Sequence, residues 1–420
     1  MNQAVTTINT IIGVLFTLCY AYQIIYYLVG IFGREKPHGE GTPHRFAVLI
    51  AARNEEAVIG HLLESIQNQD YPAELIHTFV VADNCTDGTA DAARARGAEV
   101  LERFNREQVG KGYALAALLE HIREHCGEDA FDGYFVFDAD NLLEPDYISR
   151  MNRSFSEGDE IVTGYRNSKN YGENWVSAGN ALWFLREAQF LNRPRRILGT
   201  SCTVSGTGFL FSKAILKRWG GWKFFLMTED IEFSVANILE GTRIGYCSDA
   251  VLYDEQPVSF RQSWRQRLRW ARGTWQVFTH YGARLAKRCV KKRDFACFDA
   301  SMIVSPLFIF TAFSTLLSLA MVGASAALGR DVLPAVTSFV NLFAGSYAAM
   351  LAMGAVALIS EWKKIRCPSW RKLALLLTFP VFQMTYIPIS CIAMFKRVEW
   401  KPIHHRVAVS LKEMEKGMAV

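Results

Sequence analysis

The chain has 420 residues, of which 50% are hydrophobic and 21% are charged, and its mean hydropathy is slightly positive at +0.08. This composition is too apolar for an ordinary soluble enzyme and too polar for a protein made only of membrane helices, so we expect a globular domain joined to membrane spans. The net charge of +5 is mild, and much of the basic excess flanks the apolar segments, which suits anionic lipid headgroups and argues against a nucleic-acid partner.

The first predicted element is an apolar segment at residues 7–32, which exceeds the roughly 20 residues that a helical membrane span needs. No basic stretch precedes it and its apolar run is longer than that of a signal peptide, so we interpret residues 1–33 as a retained transmembrane anchor. Residues 45–255 then form the predicted globular domain, which is long enough for one hydrophobic core.

Strands and helices alternate through the first half of this domain. Apolar runs that predict strands are separated by segments with helical periodicity, in the order FAVLIAARN, EEAVIGHLLESIQNQ, IHTFVVADN, TADAARARG, AEVLER, YALAALLEHIREH and YFVFDADN. This alternation is typical of an α/β fold in which helices cover a mostly parallel sheet. Neither Gly-x-Gly-x-x-Gly nor a Walker-type loop follows the first strand, which disfavours the usual dinucleotide and P-loop folds.

Polar residues at the carboxyl ends of the predicted strands are the first candidates for a site, because ligands of such sheets bind beyond those ends. They are Asn54, Glu55, Asp83, Asp138 and Asp140. The last two carboxylates are one residue apart, so one can reach a divalent ion such as Mg²⁺ or Mn²⁺ while the other binds hydroxyl groups or a base edge. A solvated turn explains Asp-x-Asp equally well, since both residue types are common in turns.

Two loops carry candidate ligands for a phosphate and a sugar. Gly-Lys-Gly at 110–112 precedes a helix and can place Lys111 near a phosphate, although a lone surface lysine is the commoner case. The glycine-punctuated stretch at 201–212 can provide the floor of a sugar pocket at Ser205 to Gly208, or it can be a bulged strand.

A helix is predicted to begin at Thr228, with Thr228 as its N-cap and acidic residues in its first turn. Glu229 and Asp230 are stabilising there because they oppose the positive end of the helix dipole, and this structural reading is the simpler one. The functional reading makes Asp230 a general base that points into a pocket.

Residues 256–292 are predicted to form an amphipathic helix rich in arginine and tryptophan. Gln266, Arg269 and Trp270 fall at helical spacing on one face, which suits a site, whereas the composition suits a helix that lies on a membrane surface. A second amphipathic stretch, at residues 174–193, either rests on the membrane or packs in the core.

A C-terminal membrane cluster at residues 298–396 contains three more apolar segments, followed by a basic tail at 397–420. The segments are at about 299–328, 334–360 and 372–395. Basic short loops place the globular domain in the cytoplasm by the positive-inside rule. If all three C-terminal segments cross the membrane, the tail lies outside. The tail stays in the cytoplasm if the last segment, which Pro380 and Pro388 interrupt, re-enters the membrane or lies on its surface.

The nine cysteines are scattered and include no Cys-x-x-Cys pair, so they do not predict a zinc site or a disulfide framework. Reduced thiols in a cytoplasmic domain account for them most simply.

Taken in order, these motifs resemble the family 2 glycosyltransferases, and specifically the membrane-embedded branch that includes cellulose, chitin and hyaluronan synthases. The resemblance covers about residues 46–280 and rests on IAARNEE, Asp83, GKG, DAD at 138–140, TED at 228–230, and QRLRW, which fits Gln-x-x-Arg-Trp. It implies the GT-A fold, a nucleotide-diphosphate sugar donor, a Mg²⁺ or Mn²⁺ cofactor, and a multi-pass protein of the plasma membrane.

The resemblance also implies roles for the candidate residues. Asp230, beside Glu229, would take the proton from the acceptor hydroxyl and invert an α-linked donor to a β-linkage, and Asp140 would bind the metal. Arg269 would stabilise the departing diphosphate. Ala52, Asn54, Glu55, Asp83, Lys111 and Asp138 would bind the nucleotide sugar, and Gln266, Trp270, Ser205 and Gly206 would bind the acceptor.

The type of product stays open at this stage. Gln-x-x-Arg-Trp is associated with processive synthases of secreted, β-linked polysaccharides, which is our first prediction. The small number of spans leaves room for single transfer to a lipid, since related glycolipid synthases share the motifs. A non-catalytic membrane scaffold is the third reading, and an assembly of identical copies is left open.

Overall fold

The computed structural model describes residues 2–306, 308–396, 398, 405 and 407–416. Its centre is one sheet with the strand order β3-β2-β1-β4-β7-β6-β8-β5. Neighbours among β1 to β4 are parallel, as are β6 and β8, whereas β7 is antiparallel to β4 and β6 and β5 is antiparallel to β8. The strands are β1 Phe46–Ala52, β2 Ile76–Asp83, β3 Glu99–Arg103, β4 Gly133–Asp138, β5 Leu142–Leu143, β6 Ile161–Ser168, β7 Phe209–Ser212 and β8 Ile244–Asp254.

Helices cover both faces of this sheet, which confirms the predicted α/β fold with a mostly parallel sheet. Along β1, Ala47 and Leu49 belong to the core on one face, and Phe46, Val48 and Ile50 belong to the core on the other. The strand is apolar throughout because both of its faces are buried. The helices up to residue 240 are α1 Asn2–Tyr20, α2 Tyr22–Phe32, α3 Ile59–Gln67, α4 Thr89–Arg94, α5 Lys111–Cys126, α6 Tyr147–Ser156, α7 Trp175–Glu187, α8 Arg193–Ile197, α9 Lys213–Trp219 and α10 Glu229–Glu240.

After β8, the described part of the chain contains helices joined by turns and loops, and no strand. Its helices are α11 Phe260–Lys292, α12 Phe295–Val304, α13 Phe308–Ala327, α14 Leu333–Ser360, α15 Ser369–Met384, α16 Tyr386–Phe395 and α17 Leu411–Lys416. Three segments are long and apolar enough to cross a membrane, or four if the bent pair α1 and α2 counts as one span: Ile309–Ala327, Leu333–Ser360 and Ser369–Phe395. The predicted N-terminal span is therefore two helices with a 43° bend between them.

The predicted span at 299–328 is wrong in its first part. The helix breaks at Ser305, which is extended and precedes Pro306, because a residue before proline is disfavoured in the helical conformation. The preceding helix α12 contains Asp299, which is buried and pairs with Arg195 at 2.7 Å. The hydroxyl groups of Tyr22 and Tyr26 also donate to Asp299, at 2.8 and 2.7 Å. We call these four residues the Asp299 cluster; it joins α2, α8 and α12.

The last apolar segment lies along the two helices that we predicted to be amphipathic. Phe382 of α15 packs against Gly179 of α7, and Ile389 and Ala393 of α16 pack against α11. Arg267 of α11 donates to the carbonyl oxygen of Phe382 at 3.1 Å. Most residues of α7 are buried. Of the two interpretations of residues 174–193, packing in the core is therefore the one that describes α7.

Candidate functional site

A cavity of about 690 Å³ lies beyond the carboxyl ends of β1, β2 and β4. This is the edge at which open α/β sheets bind ligands. The cavity collects most of the residues that we singled out in the sequence: Ala52, Glu55, Asp83, Lys111, Asp138, Asp140, Ser205, Gly206, Glu229, Asp230, Gln266, Arg269 and Trp270.

Asp83, Lys111 and Asp138 form the polar end of the cavity through two ion pairs. Arg103 donates to Asp83 at 2.5 Å, which fixes the carboxylate at the end of β2. Lys111 donates to Asp138 and, at 2.8 Å, to the carbonyl oxygen of Gly206. The Nζ atom of Lys111 thus links the first turn of α5 to the 201–208 loop, and a phosphate that enters here meets this positive charge.

Asp140 is buried, and its Oδ2 atom accepts a hydrogen bond from the backbone nitrogen of Glu255 at 3.1 Å. Burial alone would raise the pKa of Asp140, but the positive charges of His405 and Lys169 outweigh burial, and the pKa is lowered. The carboxylate is therefore ionised at neutral pH, as a ligand of a hard divalent ion must be.

His405 reaches this carboxylate from the C-terminal tail. Its Nδ1 atom is 2.9 Å from both carboxylate oxygens of Glu55, and its Nε2 atom is 3.8 Å from Oδ2 of Asp140. Burial alone would lower the pKa of His405. The negative charges of Asp140 and Glu55 outweigh burial and raise the pKa to about 10. The segment WKPIHH at 400–405 allowed two interpretations from sequence, a segment that closes over the nucleotide and an exposed tail. His405 lines the cavity, and residues 399–404 lie outside the described residues.

The residues present fit a metal ion that takes some of its ligands from the protein and the others from the substrate. Among the described residues, no group of three His, Cys, Asp or Glu side chains could hold an ion by itself. Asp140 offers an ionised carboxylate on the same cavity wall as Asp138 and Glu55. Mg²⁺ and Mn²⁺ sites that use one or two carboxylates take substrate phosphates as further ligands.

Glu229 and Asp230 line the cavity at the first turn of α10. Burial, followed by the charge of Asp230, raises the pKa of Glu229 to about 7. Burial also raises the pKa of Asp230, while the charges of Lys111 and Arg269 oppose the rise. A buried carboxylate whose pKa lies above its ordinary value is a better proton acceptor than an exposed one.

The start of α10 differs from the predicted cap in one respect. Thr228 occupies the N-cap position, but its side chain makes no capping hydrogen bond, and its Oγ1 atom is buried without a partner in the described chain. Gly273 explains this arrangement, because a Cβ there would lie 2.5 Å from Oγ1 of Thr228. Close packing of α11 on α10 thus leaves a free hydroxyl on the cavity wall.

Arg269, Gln266 and Trp270 line the cavity from α11, as their spacing predicted. Arg269 donates to the carbonyl oxygen of Met227 at 3.0 Å, which holds the guanidinium beside the acidic pair. The Oε1 atom of Gln266 is buried and has no partner in the described chain. The ring of Trp270 meets Phe184 edge to face at 5.9 Å.

The 201–208 loop carries the backbone close to Asp230. Gly206 has a φ of +78°, which favours glycine, and a Cβ at this position would lie 3.8 Å from Oδ2 of Asp230. Ser205 also lines the cavity, but its hydroxyl donates to Glu187. The regular strand begins only at Phe209, so this segment is a loop and not a bulged strand.

Asn54 is not on the cavity wall, in contrast to the expectation that it binds the nucleotide. Its φ is +59°, which turns the chain after β1, and its amide nitrogen donates to the hydroxyl of Thr86 at 3.2 Å. The backbone nitrogen of Thr86 returns a hydrogen bond at 2.8 Å. Asn54 therefore ties together the loops after β1 and β2. Arg272 of α11 donates to carbonyl oxygens at the end of α16.

Arg166, Asp254 and Glu187 are cavity residues that the sequence analysis missed. Arg166 pairs with Asp254 and also donates to the carbonyl oxygen of Ser205 at 2.9 Å. Burial raises the pKa of Asp254 to about 6, against the lowering effect of Arg166. Arg166 lies near the end of β6, and Asp254 is the last residue of β8. The strand-end rule that selected Asp138 would therefore have found both.

The opposite end of the cavity is apolar. The helices α1, α12 and α14 contribute to its wall the side chains of Phe16, Tyr20, Met302, Ile303, Met350 and Met353. The cavity therefore extends from the carboxylates at the sheet edge to the membrane helices.

Curated relatives share about a quarter of their residues with this chain. A probable glycosyltransferase of Bacillus subtilis is 26% identical over 63% of this chain and 63% of its own length. The beta-monoglucosyldiacylglycerol synthase of Synechocystis is 27% identical over 56% of this chain and 48% of its own. The poly-beta-1,6-N-acetyl-D-glucosamine synthase of Staphylococcus epidermidis is 26% identical over 61% and 64%. The chain thus matches less than two thirds of the length of each of these relatives.

A solved structure with a similar fold is a mannosyltransferase from Pyrobaculum calidifontis in complex with GDP-mannose and Mn²⁺. It covers 92% of this chain and 99% of its own, with a TM-score of 0.57 and 19% sequence identity. The likeness supports the predicted GT-A fold. The family described as glycosyltransferase-like family 2 matches residues 43–273, which are more than half of the sequence. The chain belongs to this family.

Proposed function

We propose that the protein transfers a sugar from a UDP-sugar, with inversion, to a hydroxyl group of a membrane-held acceptor. The observation that carries this proposal is that Asp230 shares one cavity with Lys111, Asp138 and Asp140. A proton acceptor thus lies in the same space as the residues suited to a metal-bound diphosphate. A non-catalytic scaffold would not require this combination.

The residues support a direct displacement. Asp230 takes the proton of the acceptor hydroxyl as the hydroxyl oxygen attacks the anomeric carbon. The bond from that carbon to the diphosphate oxygen breaks, and the nucleoside diphosphate leaves with the electron pair. Attack opposite the leaving group converts an α-linked donor into a β-linked product. Asp83 and Asp138 orient the nucleotide, and Lys111 and Arg269 face the negative charge that develops on the diphosphate.

Asp140 would hold a Mg²⁺ or Mn²⁺ ion, with Asp138 and Glu55 beside it. Such an ion neutralises the diphosphate and makes it a better leaving group.

The polarity of the cavity wall distinguishes between two classes of acceptor. A polysaccharide, as our first prediction and the Staphylococcus relative suggest, needs hydrogen-bonding partners along its path. A lipid acceptor, as the Synechocystis relative suggests, needs an apolar wall along its path. The end formed by α1, α12 and α14 is apolar, which favours the lipid as the acceptor and leaves the polysaccharide as the second candidate.

We further propose that the catalytic domain lies at the cytoplasmic face of the plasma membrane. The positive-inside rule supports this orientation, and the packing of α15 and α16 along α7 and α11 supports a path that keeps the tail on the same side. If Ser369–Phe395 lies along the domain and does not cross, the tail returns on the cytoplasmic side. The contact between His405 and Glu55 supports that path.

The test is release of nucleoside diphosphate by the purified protein, with Mg²⁺ or Mn²⁺. The donors are a panel of UDP-sugars and, for comparison, GDP-mannose. We expect turnover with a UDP-sugar, and a loss of about 10²–10⁴-fold in Asp230→Asn. The matched control is Glu232→Gln on the same helix, because Glu232 is buried but does not line the cavity. Equal turnover by Asp230→Asn and the wild type would refute the assigned base, and turnover only with GDP-mannose would refute the donor.

A further inference from the structure

The apolar end of the cavity reaches into the part of the molecule that is suited to the membrane. Met350 and Met353 belong to α14, a candidate membrane span. They lie about 10–15 Å from the end of α14 at Ser360, at 1.5 Å per residue. That end is held against the sheet, since the hydroxyl of Tyr165 donates to Glu361. The cavity therefore continues from the sheet edge along a membrane helix.

Large apolar side chains are exposed on the helices at this end of the cavity. Phe16 is 39% exposed and lines the cavity from α1. The neighbouring helices α13 and α14 expose Phe310, Phe313, Leu316, Leu319, Val336, Val340 and Phe343. Side chains of this kind contact lipid when a helix lies in a bilayer. A molecule in the membrane could thus reach the cavity without passing through water.

The wall at this end offers few hydrogen bonds to a sugar chain. Gln23 and Arg186 also line the cavity, but Arg186 donates to the amide oxygen of Gln23 at 2.8 Å. Of the six side chains from α1, α12 and α14, only Tyr20 carries a hydroxyl, and that hydroxyl already donates to the carbonyl oxygen of Met302 at 3.2 Å. Sugar hydroxyl groups buried here would lose their hydrogen bonds to water without replacement, which is costly. Methionine side chains are flexible and polarisable, so they pack well against chains of variable shape.

Unpaired polar atoms lie elsewhere on the same cavity wall. Oγ1 of Thr228 and Oε1 of Gln266 are both buried without a partner in the described chain. Thr228 and Gln266 both line the cavity that contains Asp230. One cavity therefore combines the base and polar side chains with an apolar wall on the helices α1, α12 and α14.

From this arrangement we infer that the channel between α1, α12 and α14 is the entrance and binding site for the acyl chain of a lipid acceptor whose free hydroxyl lies at Asp230. This inference rests on the proposed function and adds the place and the chemistry of the acceptor site. We call it the acyl channel; its wall is Phe16, Tyr20, Met302, Ile303, Met350 and Met353. A lipid that enters sideways keeps its chain among apolar side chains while its hydroxyl reaches the anomeric carbon.

The first experiment measures binding and does not require turnover. The full chain in phosphatidylcholine nanodiscs is irradiated with a diacylglycerol that carries a diazirine at the end of an acyl chain. We expect labelled peptides from α12 and α14, with labelling reduced by dioleoylglycerol and not by glycerol. Absence of competable labelling in these helices would overturn the inference, whatever the enzyme activity.

The second experiment blocks the channel. Met353→Trp adds bulk to its wall, and Met302→Trp does the same from a different helix. Ile359→Trp is the matched control, because Ile359 is 72% exposed on α14 and does not line the cavity. We expect both channel variants to lose about tenfold or more of the transfer to dioleoylglycerol. Ile359→Trp should keep transfer to dioleoylglycerol within about twofold of the wild type. The channel variants should lose less of the transfer to diacetylglycerol, because its acyl chains are too short to fill the channel.

Two results would overturn the inference while leaving the proposed function intact. One is equal transfer to dioleoylglycerol and diacetylglycerol with no effect of the channel variants. The other is a long carbohydrate product that forms without any added lipid. A protein that releases no nucleoside diphosphate from any donor would contradict the proposed function, and the labelling experiment would still decide whether the acyl channel exists.

Discussion

The Asp299 cluster makes a prediction about stability that can be worked from its geometry. Arg195 and Asp299 have side chains that are 1% and 2% exposed, and their two hydrogen bonds are 2.7 and 3.0 Å long. Asp299→Asn removes the negative charge and leaves the guanidinium of Arg195 buried without a counterion. Breaking a buried pair in this way costs about 3–5 kcal/mol.

Thermal unfolding of the detergent-solubilised protein, at a fixed scan rate, measures this cost. We expect Asp299→Asn to lower the Tm by roughly 10 °C, from about 2–4 °C per kcal/mol for a domain of this size. Glu102→Gln is the control for an exposed pair with Arg94, for which we expect little change in Tm because solvent screens the pair.

A double variant identifies the cause of the loss. Asp299→Asn combined with Arg195→Met removes the uncompensated charge but keeps an oxygen that can accept from Tyr22 and Tyr26. We expect the double variant to recover most of the Tm, because replacing both members of a buried pair is far less costly than removing one. A double variant that is no more stable than Asp299→Asn would refute the electrostatic explanation.

Three further predictions concern the site and its loop. Activity should fall as the pH drops through a value above the ordinary range of aspartate, since burial raises the pKa of Asp230. Lys111→Gln removes a charge that lowers this pKa, so the acid limb of the kcat/KM profile should move to higher pH; an unmoved limb would contradict the assignment. Gly208→Ala should cost about 2–4 kcal/mol in unfolding free energy, because φ is +66° and a Cβ would lie 1.9 Å from a leucine on β8, whereas Gly39→Ala, where space is open, should cost little. EDTA should abolish activity, with Mg²⁺ or Mn²⁺ restoring it, and Asp140→Asn should raise the metal concentration needed for half-maximal activity; full activity in EDTA would refute a metal role.

Much of the sheet and part of the site could be predicted from local patterns. The strands β1 to β4 are short apolar runs between helical segments, and their carboxyl ends carry Asp83, Asp138 and Asp140. The fold brings these ends together because parallel strands share one edge. Helical spacing likewise placed Gln266, Arg269 and Trp270 on one face of α11.

Other features depend on distant parts of the chain. His405 contacts Glu55 across 350 positions of sequence, and no local pattern predicts that pairing. The break at Ser305 is a local feature that Pro306 marks in the sequence, but the apolar residues on both sides give a continuous hydropathy signal that conceals it. The position of Asn54 away from the cavity wall also depends on the folded chain, because its hydrogen-bond partner Thr86 comes from the loop after another strand.

The central claim is an inverting transfer to a lipid hydroxyl. The measurement that tests it most directly is the anomeric configuration of the sugar in the product, determined by proton NMR after incubation with an α-linked UDP-sugar and dioleoylglycerol. The account predicts a β-linked glycolipid. An α-linked product would contradict the single displacement with Asp230 as the base, and a carbohydrate product that carries no lipid would contradict the acceptor.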